Sequence, residues 1–223
     1  MEIIRKALSE GRHTLSEYES KKLLSTYGIP VTREIEVASR ETLMAAIKTI
    51  GFPMVLKGCG SSLTHKTERN LVHVDIRSKE EALAAFDEIM KEVKREGGTV
   101  LVQEMVRGRR ELVAGLTRDA QFGPCVMFGL GGIFTEVLKD ISFRPAPLDE
   151  KDAIAMMQEI KGRKILEGVR GYPPADLVQI SGILINLGKI GLEQESVQEI
   201  DINPVILDGS KPVAVDALVV LEG

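Results

Sequence analysis

The sequence predicts a mixed α+β protein built from two lobes. Helical and strand-like segments alternate through residues 1–102, whereas short strand-like segments at close spacing dominate residues 103–223. A length of 223 residues suffices for one large domain or for two small ones in close contact. We therefore expect an N-terminal lobe over residues 1–102, with leading helices, and a C-terminal lobe over residues 103–223 that is mostly antiparallel sheet with helical cover.

The first lobe is marked by two helix-opening patterns. Ser16 and Glu19 fit a capping box, and the helix that they open should end near Gly28. Ser78 and Glu81 fit a second capping box. The other expected elements are a strand at 35–37, a helix at 41–50, and strands at 54–57, 71–76 and 100–105.

The second lobe has the pattern of a sheet interrupted by two helices. The expected strands are 111–116, 124–129, 136–141, 197–202 and 213–221. The expected helices are 150–160 and 176–187. The connector at 162–174 is basic and contains glycine and proline, so we expect a surface loop there.

The composition excludes several classes of protein. Only 4% of residues are aromatic and the net charge is −4, which argues against a nucleic-acid surface. Two distant cysteines predict neither a disulfide framework nor a CxxC metal site. No apolar stretch approaches the roughly 20 residues of a membrane span, and the amino terminus carries charges where a signal peptide is apolar. We read the chain as cytoplasmic and complete.

The stretch VLKGCGSSLTHKTE, residues 55–68, contains two candidate functional side chains. Lys57 ends an apolar strand, where a lysine either reaches solvent or meets an anion. The small residues that follow, Gly58 and Ser61 among them, allow backbone N–H groups to approach phosphate oxygens. His65 fits a surface residue or a catalyst, and a zinc site shared with His73 is rejected because no third ligand is near.

Two further segments allow a binding and a structural interpretation. The strand end at 103–106 offers backbone groups to an adenine edge, with Glu111 as an acceptor for ribose hydroxyls, or it is simply a strand followed by a charged turn. Gly131 and Gly132 belong to a run with three glycines in four residues, which indicates a special turn or a close approach to a ligand. Glu136 and Asp140 would share one strand face, facing either a cation or solvent.

The segment EIDINPV near the end of the chain is the most specific of these patterns. Glu199, Asp201 and Asn203 alternate onto one strand face, and Pro204 is expected to end the pairing. Asp216 is a lone acid in an apolar strand and needs a partner. Asn203 and Asp216 are therefore candidate Mg²⁺ ligands, the alternative being a hairpin with one buried, hydrogen-bonded aspartate.

Five ordered segments together resemble the ATP-grasp fold, and specifically the β-subunit of ADP-forming acyl-CoA synthetases. In chain order they are LSEYESKKLLSTYGIPV, VLKGCGSSLTHKTE, VQEMVRGRRELVAGLTRDAQFGP, FGLGGIFTEVLKDISFRPAPL, and EIDINPVIL with AVDA. The resemblance covers nearly the whole chain and implies two α+β lobes with a nucleotide cleft between them. It departs from the family at Arg69-Asn70, where relatives often carry a glycine pair.

The resemblance implies a role for each candidate residue. Lys57 contacts the nucleotide phosphates, Glu111 binds ribose, and His65 takes phosphate from a phosphohistidine on an α-subunit. Asn203 and Asp216 hold magnesium, and Arg144 joins His65 as a catalytic residue. The remaining implied nucleotide-binding residues are Gly58, Ser61, Gln103, Glu104, Met105, Val106, Gly131, Gly132, Glu136 and Asp140.

The expected function is that of the nucleotide-binding subunit, with Mg²⁺ as cofactor and ATP or ADP as substrate. The resemblance implies a partner α-subunit that carries a CoA-binding domain and a phosphorylatable histidine, in an α2β2-type heteromer. Two alternatives are a stand-alone ATP-grasp carboxylate ligase, which would not need His65, and a non-enzymatic, nucleotide-sensing regulatory subunit.

Overall fold

The computed structural model describes residues 1–60, 71–132, 140–168 and 171–222. The helices are α1 (Glu2–Ser9), α2 (Glu17–Thr26), α3 (Arg40–Ile50), α4 (Lys79–Val93), α5 (Glu150–Glu159) and α6 (Leu177–Glu193), with short 3₁₀ turns at Lys94–Glu96 and Arg163–Leu166. The strands are β1 (Glu34–Val37), β2 (Met54–Cys59), β3 (Val72–Ile76), β4 (Thr99–Glu104), β5 (Glu111–Asp119), β6 (Gly123–Leu130), β7 (Ile141–Pro145), β8 (Val197–Asp208), β9 (Lys211–Ala214) and β10 (Leu218–Leu221).

Contacts divide the chain into two units. The larger unit contains Met1–His13, Ser20–Val31 and Val106–Gly223, and the smaller unit contains Thr14–Glu19 and Thr32–Met105. The ATP-grasp lobe bounds expected from the sequence, 1–102 and 103–223, stay a prediction. Among the described residues, no helix combines the length and the apolar character needed to cross a bilayer.

The smaller unit is a four-stranded sheet in the order β1–β4–β2–β3, with every pair antiparallel. Helices α3 and α4 pack against the sheet, and the core between them includes Leu43, Leu56, Phe86, Ile89 and Val102. Alternating helices and strands therefore produce an antiparallel sheet here, and the α+β class is confirmed.

Side-chain caps lie at the starts of helices α2 and α4, where the sequence predicts capping boxes. The Ser16 Oγ accepts from the Glu19 N–H at 3.2 Å, while the Glu19 carboxylate accepts from the Ser16 N–H at 2.9 Å, which completes a capping box. The second predicted box is only half formed: Ser78 Oγ accepts from the Glu81 N–H, but the Glu81 carboxylate accepts from the N–H of Arg77.

The larger unit is an antiparallel sheet in the order β10–β8–β5–β6–β7, with β9 paired to β8. Helices α5 and α6 pack on it. The side chains of Leu116, Val126, Phe128, Ile200 and Ile202 are buried, whereas Glu199 and Asn203 on the alternate positions of β8 are exposed. The sheet therefore has one helix-covered face and one face that carries polar groups.

Two of the elements expected in the larger unit need correction. Helix α6 continues to Glu193 rather than ending at Leu187, because Gly188 and Gly191 lie against the sheet: a Cβ on Gly191 would be 2.6 Å from Leu116 Cδ1. The strand expected at 213–221 is divided into β9 and β10. Most of the strand expected at 136–141 lies outside the described residues, and β7 begins only at Ile141.

The third correction concerns Pro204, which does not end the pairing of its strand. β8 runs through to Asp208, and its partner β5 shifts register between Ala114, opposite Ile202, and Leu112, opposite Val205. Asn203 and Pro204 thus lie in a bulge, where a proline without an N–H is tolerated inside a sheet.

The basic connector at 162–174 is not simply a surface loop. It includes the 3₁₀ turn Arg163–Leu166, and Leu166 is buried. The buried guanidinium of Arg110 donates to the carbonyl oxygens of Ile165, Glu167 and Pro173 in this connector. An arginine more than 50 positions away in the sequence therefore holds the connector in place.

Candidate functional site

Lys57 lies in strand β2 of the smaller unit and is buried. Its Nζ donates to Glu17 Oε1 at 2.7 Å, and the two side chains are only 6% and 1% exposed. The sequence predicted that this lysine would reach solvent or meet an anion, and the anion in the described structure is the Glu17 carboxylate. Sequence reasoning missed Glu17, since its neighbour Glu19 carried the capping-box signal.

The loop after Lys57 begins later than expected. Strand β2 continues through Gly58 to Cys59, and the Gly58 N–H donates to the carbonyl of Leu71 at 2.8 Å. A Cβ on Gly58 would lie 3.1 Å from the Val93 side chain, so glycine allows α4 to approach the strand. The predicted phosphate contact of Gly58 stays a prediction, and Ser61 and His65 lie outside the described residues.

The predicted adenine segment, Gln103 to Val106, consists of the last two residues of strand β4 and the two residues after it. Gln103 is 1% exposed, and Glu104 forms three hydrogen bonds with Arg33. The Arg33 N–H and Nε donate to the Glu104 carboxylate at 2.8 and 2.7 Å, while the Glu104 N–H donates to the Arg33 carbonyl at 3.0 Å. These contacts fix the backbone just before Met105 and Val106, which is what recognition of a flat base edge by main-chain groups requires.

In the larger unit, Glu111 lies directly against the glycine pair. The Gly131 N–H donates to the Glu111 carbonyl at 2.9 Å. A Cβ on Gly131 would be 2.7 Å from the Leu112 carbonyl oxygen, and one on Gly132 would be 2.6 Å from Glu111 Oε2. The segments at Glu111 and at Gly131–Gly132, about 20 residues apart in sequence, are thus in contact, and the Glu111 carboxylate lies beside a residue without a side chain. Such a carboxylate can accept hydrogen bonds from vicinal hydroxyl groups.

We expect Gly132→Ala to weaken ADP binding about fivefold, the worth of about one hydrogen bond. Gly132 has φ +63°, and the added methyl would displace the Glu111 carboxylate. Gly123→Ala is the matched control, because Gly123 has φ +72° and nothing within 4 Å of the added atom. Calorimetric titration of both variants with ADP separates the two effects: equal losses of affinity would mean that backbone strain, not Glu111, is responsible.

Asp140 and Arg144 make structural contacts. The Asp140 carboxylate is 6% exposed and accepts from the N–H groups of Lys161 and Gly162 at 2.7 and 2.6 Å. Arg144 pairs with Glu159 of α5, and it lies opposite buried Val126, on the helix-covered face of the sheet. The nucleotide-binding role of Asp140 and the catalytic role of Arg144 stay predictions, and Glu136 lies outside the described residues.

A group of carboxylates occupies the other side of the same sheet. Asp201 lies between Gly115 of β5 and Leu218 of β10, and Gly115 contributes no side chain beside it. The pKa of Asp201 is raised to about 6, mainly by burial and further by the negative charges of Glu199 and Asp216. The ordinary pKa of this group is 3.8. Because the folded state raises it, ionisation of Asp201 lowers the free energy of unfolding as the pH rises from 3.8 to about 6, and the full loss is reached above that pH.

This carboxylate group fits a divalent cation by its donor chemistry. A cation would offset both the burial and the repulsion between carboxylates that raise the Asp201 pKa, and carboxylate and amide oxygens are the ligands that Mg²⁺ prefers. In the described parts of the chain, no three His, Cys, Asp or Glu side chains form a ready-made metal cage. A site completed by phosphate oxygens needs only one or two protein ligands, for which Asn203 and Asp216 remain the predicted choice.

Asp201 itself was not among the predicted ligands. The signal that could have found it is its place between Glu199 and Asn203 on the polar face of the strand. What the sequence does not contain is the proximity of Asp216, which follows strand β9 and precedes β10.

Comparison with known proteins agrees with this arrangement. The sequence profile of the family described as ATP-grasp domain matches residues 6–221. The acetate–CoA ligase (ADP-forming) I subunit beta of Pyrococcus furiosus is 42% identical over 228 residues, which covers 99% of this chain and 97% of that protein.

Two solved structures of one archaeal protein are also similar. The dinucleotide-forming acetyl-coenzyme A synthetase 1 of Ca. Korarchaeum cryptofilum, in complex with coenzyme A, Ca-AMPCP and HgCl⁺, superposes with a TM-score of 0.94 at 44% identity, covering 99% of each chain. Its complex with coenzyme A and Mg-AMPPCP has a phosphohistidine segment pointing towards the nucleotide binding site, with a TM-score of 0.88, 43% identity and 99% of each chain covered. The chain described here therefore belongs to the ATP-grasp family and, within it, to the beta subunits of ADP-forming acetate–CoA ligases.

Proposed function

We propose that this chain binds ADP with Mg²⁺ and completes the reaction of an ADP-forming acyl-CoA synthetase by accepting a phosphoryl group and passing it to ADP. With an α-subunit, the overall reversible reaction is acyl-CoA, ADP and phosphate giving carboxylate, CoA and ATP. The observation that carries the proposal is the Glu111 carboxylate beside Gly132, a hydroxyl acceptor next to a residue that has no side chain.

Each candidate residue has its own proposed role. The Lys57 ammonium neutralises phosphate charge, Glu111 accepts from the ribose hydroxyls, and the backbone at 103–106 receives the adenine edge. Asn203 and Asp216 would hold Mg²⁺, which when bound supplies charge neutralisation at the phosphate oxygens. The amide and the carboxylate are suited to this task because both offer hard oxygen donors.

His65 is the proposed carrier of the phosphoryl group. Its neutral imidazole attacks phosphorus of the partner's phosphohistidine, so a new P–N bond forms as the partner's P–N bond breaks. The His65 ring gives up one proton, and the leaving imidazole of the partner takes up one. In the second transfer, a β-phosphate oxygen of ADP attacks phosphorus, the His65 P–N bond breaks, and the imidazole leaves neutral after taking up one proton. Lys66, next in the sequence, offsets the charge of the phosphorylated form.

The partner would be an α-subunit with a CoA-binding domain and a phosphorylatable histidine, in an α2β2-type heteromer. Two observations support such a partner: the relative from P. furiosus is named as a beta subunit, and the K. cryptofilum protein has a phosphohistidine segment. The acyl group would be selected mainly by that partner, and the chemistry of this chain leaves its identity open.

The test has two stages. First, calorimetric titration of the isolated chain with ADP should show one site whose affinity rises when Mg²⁺ is added. Second, addition of ³²P-labelled phospho-α-subunit and ADP should yield labelled ATP, whereas the isolated chain with labelled phosphate and ADP should yield none. Absence of nucleotide binding in the first stage would contradict the proposal, and so would absence of labelled ATP in the second.

We expect Asp216→Asn to reduce the gain in ADP affinity that Mg²⁺ provides by about tenfold or more, the loss of one charge-assisted contact. Affinity for ADP in EDTA should stay within about twofold of the unmodified chain. The control is Asp208→Asn, since Asp208 is an exposed acid at the other end of the β8–β9 hairpin. A full Mg²⁺ response in the Asp216 variant would remove this residue from the metal site.

A further inference from the structure

The buried ion pair of the smaller unit raises a question that the proposed function does not answer. The side chains of Lys57 and Glu17 are 6% and 1% exposed and are in direct contact at 2.7 Å. Lys57, which is proposed to contact phosphate, is therefore paired with a carboxylate that has no assigned role in nucleotide binding.

Burial of the pair carries no large stability gain by itself. Removing two charges from water costs several kcal/mol per ion, and their attraction often does no more than offset that loss. A buried ion pair between two long side chains is therefore a weak stabiliser compared with apolar residues of the same volume. Its presence in the interior of a small sheet points to a use for the charge of Lys57.

Glu17 is well placed to serve that use. It is the first residue of helix α2, and the capping box of that helix is formed by Ser16 and Glu19. The carboxylate in the cap is therefore that of Glu19, and the Glu17 carboxylate meets Lys57 at the third-last residue of β2. Strand β2 is buried along its whole length, so the backbone that carries Lys57 is held within the sheet.

We propose that Glu17 is a positioning residue for the nucleotide phosphates, acting through Lys57. Its carboxylate keeps the buried ammonium charged and aims it, and the phosphate oxygens then share that ammonium when nucleotide binds. The inference rests on the proposed function, in which Lys57 contacts the phosphates, and it adds the group that prepares Lys57 for them.

The experiment compares ligands that differ only in phosphate. Glu17→Gln keeps the size and shape of the side chain but removes its charge. We expect the affinity for ATP, measured by calorimetry, to fall about tenfold. Affinity for adenosine should be unchanged, because adenosine has no phosphate for Lys57 to contact. Glu17→Asp, which keeps the charge on a shorter side chain, should recover part of the ATP affinity.

A double-mutant cycle then tests whether Glu17 acts through Lys57. In a Lys57→Met background, adding Glu17→Gln should produce no further loss of ATP affinity. Equal losses of ATP and adenosine binding in Glu17→Gln would overturn the inference in favour of a purely structural role, and so would unchanged or tighter ATP binding. Should Glu17→Gln fail to fold, the same comparison is made with Glu17→Asp, for which a loss confined to ATP is expected and an equal loss for both ligands overturns the inference.

The cycle also separates this inference from the proposed function on which it rests. If Lys57→Met binds ATP as tightly as the unmodified chain, the phosphate role of Lys57 is wrong and the proposed function must change. If Lys57→Met weakens ATP binding while Glu17→Gln does not, only the positioning role of Glu17 fails.

Discussion

Replacing His65 by asparagine should lower the rate of label transfer from phospho-α-subunit to ADP by at least about 1,000-fold. An asparagine amide has a similar size and can form hydrogen bonds, but its nitrogen is not nucleophilic and cannot carry a phosphoryl group. The measurement is single-turnover transfer of ³²P from the labelled partner, with ATP separated from protein-bound label.

The control is the same substitution at another histidine. His73 lies on strand β3, with its Nε2 3.6 Å from the Glu88 carboxylate, and its conversion to asparagine should leave the transfer rate within about twofold. Both variants should bind ADP as the unmodified chain does, because neither change touches the residues proposed to hold the nucleotide.

The result decides between two routes for the phosphoryl group. In the Mg-AMPPCP complex of the K. cryptofilum protein, a phosphohistidine segment points towards the nucleotide binding site. If a phosphohistidine segment of the proposed partner delivers phosphate directly to ADP, the His65→Asn variant will form ATP at the normal rate. A two-histidine relay instead requires label on the unmodified chain that is missing from the variant.

The sequence predicted the elements of the fold well wherever the signal is local. The capping box at Ser16 and Glu19 forms as expected, and the antiparallel sheet of the larger unit follows from short, closely spaced strand patterns. The capping box joins residues three positions apart, and each strand pattern lies within one segment, so local sequence contains the information for both. The pairing of β5 with β8 joins distant segments and is not contained in either pattern.

The errors fall where distant segments decide the outcome. Helix α6 continues beyond Gly188 because this glycine packs near Val126, which is more than 60 positions earlier in the chain. The helical periodicity of the local sequence gives no information about that contact. The strand through Pro204 continues because β5 accommodates a bulge there. Glycine often ends a helix and proline often ends a strand, but here Gly188 permits close packing within the helix and Pro204 lies in a bulge within the strand.

The same distinction applies to the candidate site. The pattern identified Lys57, Glu111 and the glycine pair, because residue types and order within short motifs carry that information. Glu17 lies 40 positions from Lys57, and their pairing follows from the fold alone. Sequence reasoning therefore proposed Lys57 and Glu111 as ligand contacts from short motifs, and it missed the carboxylate that pairs with Lys57.

Arg110→Met should destabilise the chain strongly, by about 3 kcal/mol or more in the free energy of unfolding. Arg110 is 5% exposed, and its guanidinium donates to four main-chain carbonyl oxygens and lies 5.6 Å from the ring centroid of Tyr172. A methionine side chain fills most of the volume of the arginine side chain, but it cannot donate to the four carbonyl oxygens, which then lose a hydrogen bond at a buried position. For a chain of this size, the midpoint of thermal unfolding should fall by about 6–12 °C.

Arg109→Met is the matched control, because Arg109 is the exposed neighbour and its loss should change stability by no more than about 0.5 kcal/mol. Urea unfolding followed by circular dichroism measures both, with an unchanged slope showing that only stability differs. Arg110→Lys should fall between the two, since it keeps the charge but lacks the planar fork that serves several carbonyls at once. Equal stability of the Arg110 and Arg109 methionine variants would mean that the connector is held by its own packing and not by the guanidinium.

A loss of stability at Arg110 has a further consequence for the site. Arg110 directly precedes Glu111, and its fourth acceptor is Gly209 in the turn between β8 and β9. The guanidinium thus joins the connector, that turn and the start of β5 at the point where β5 presents its carboxylate to Gly132. We therefore expect the folded fraction of Arg110→Met to bind ADP more weakly than Arg109→Met, because local opening at Arg110 would release Glu111 before the sheet itself unfolds.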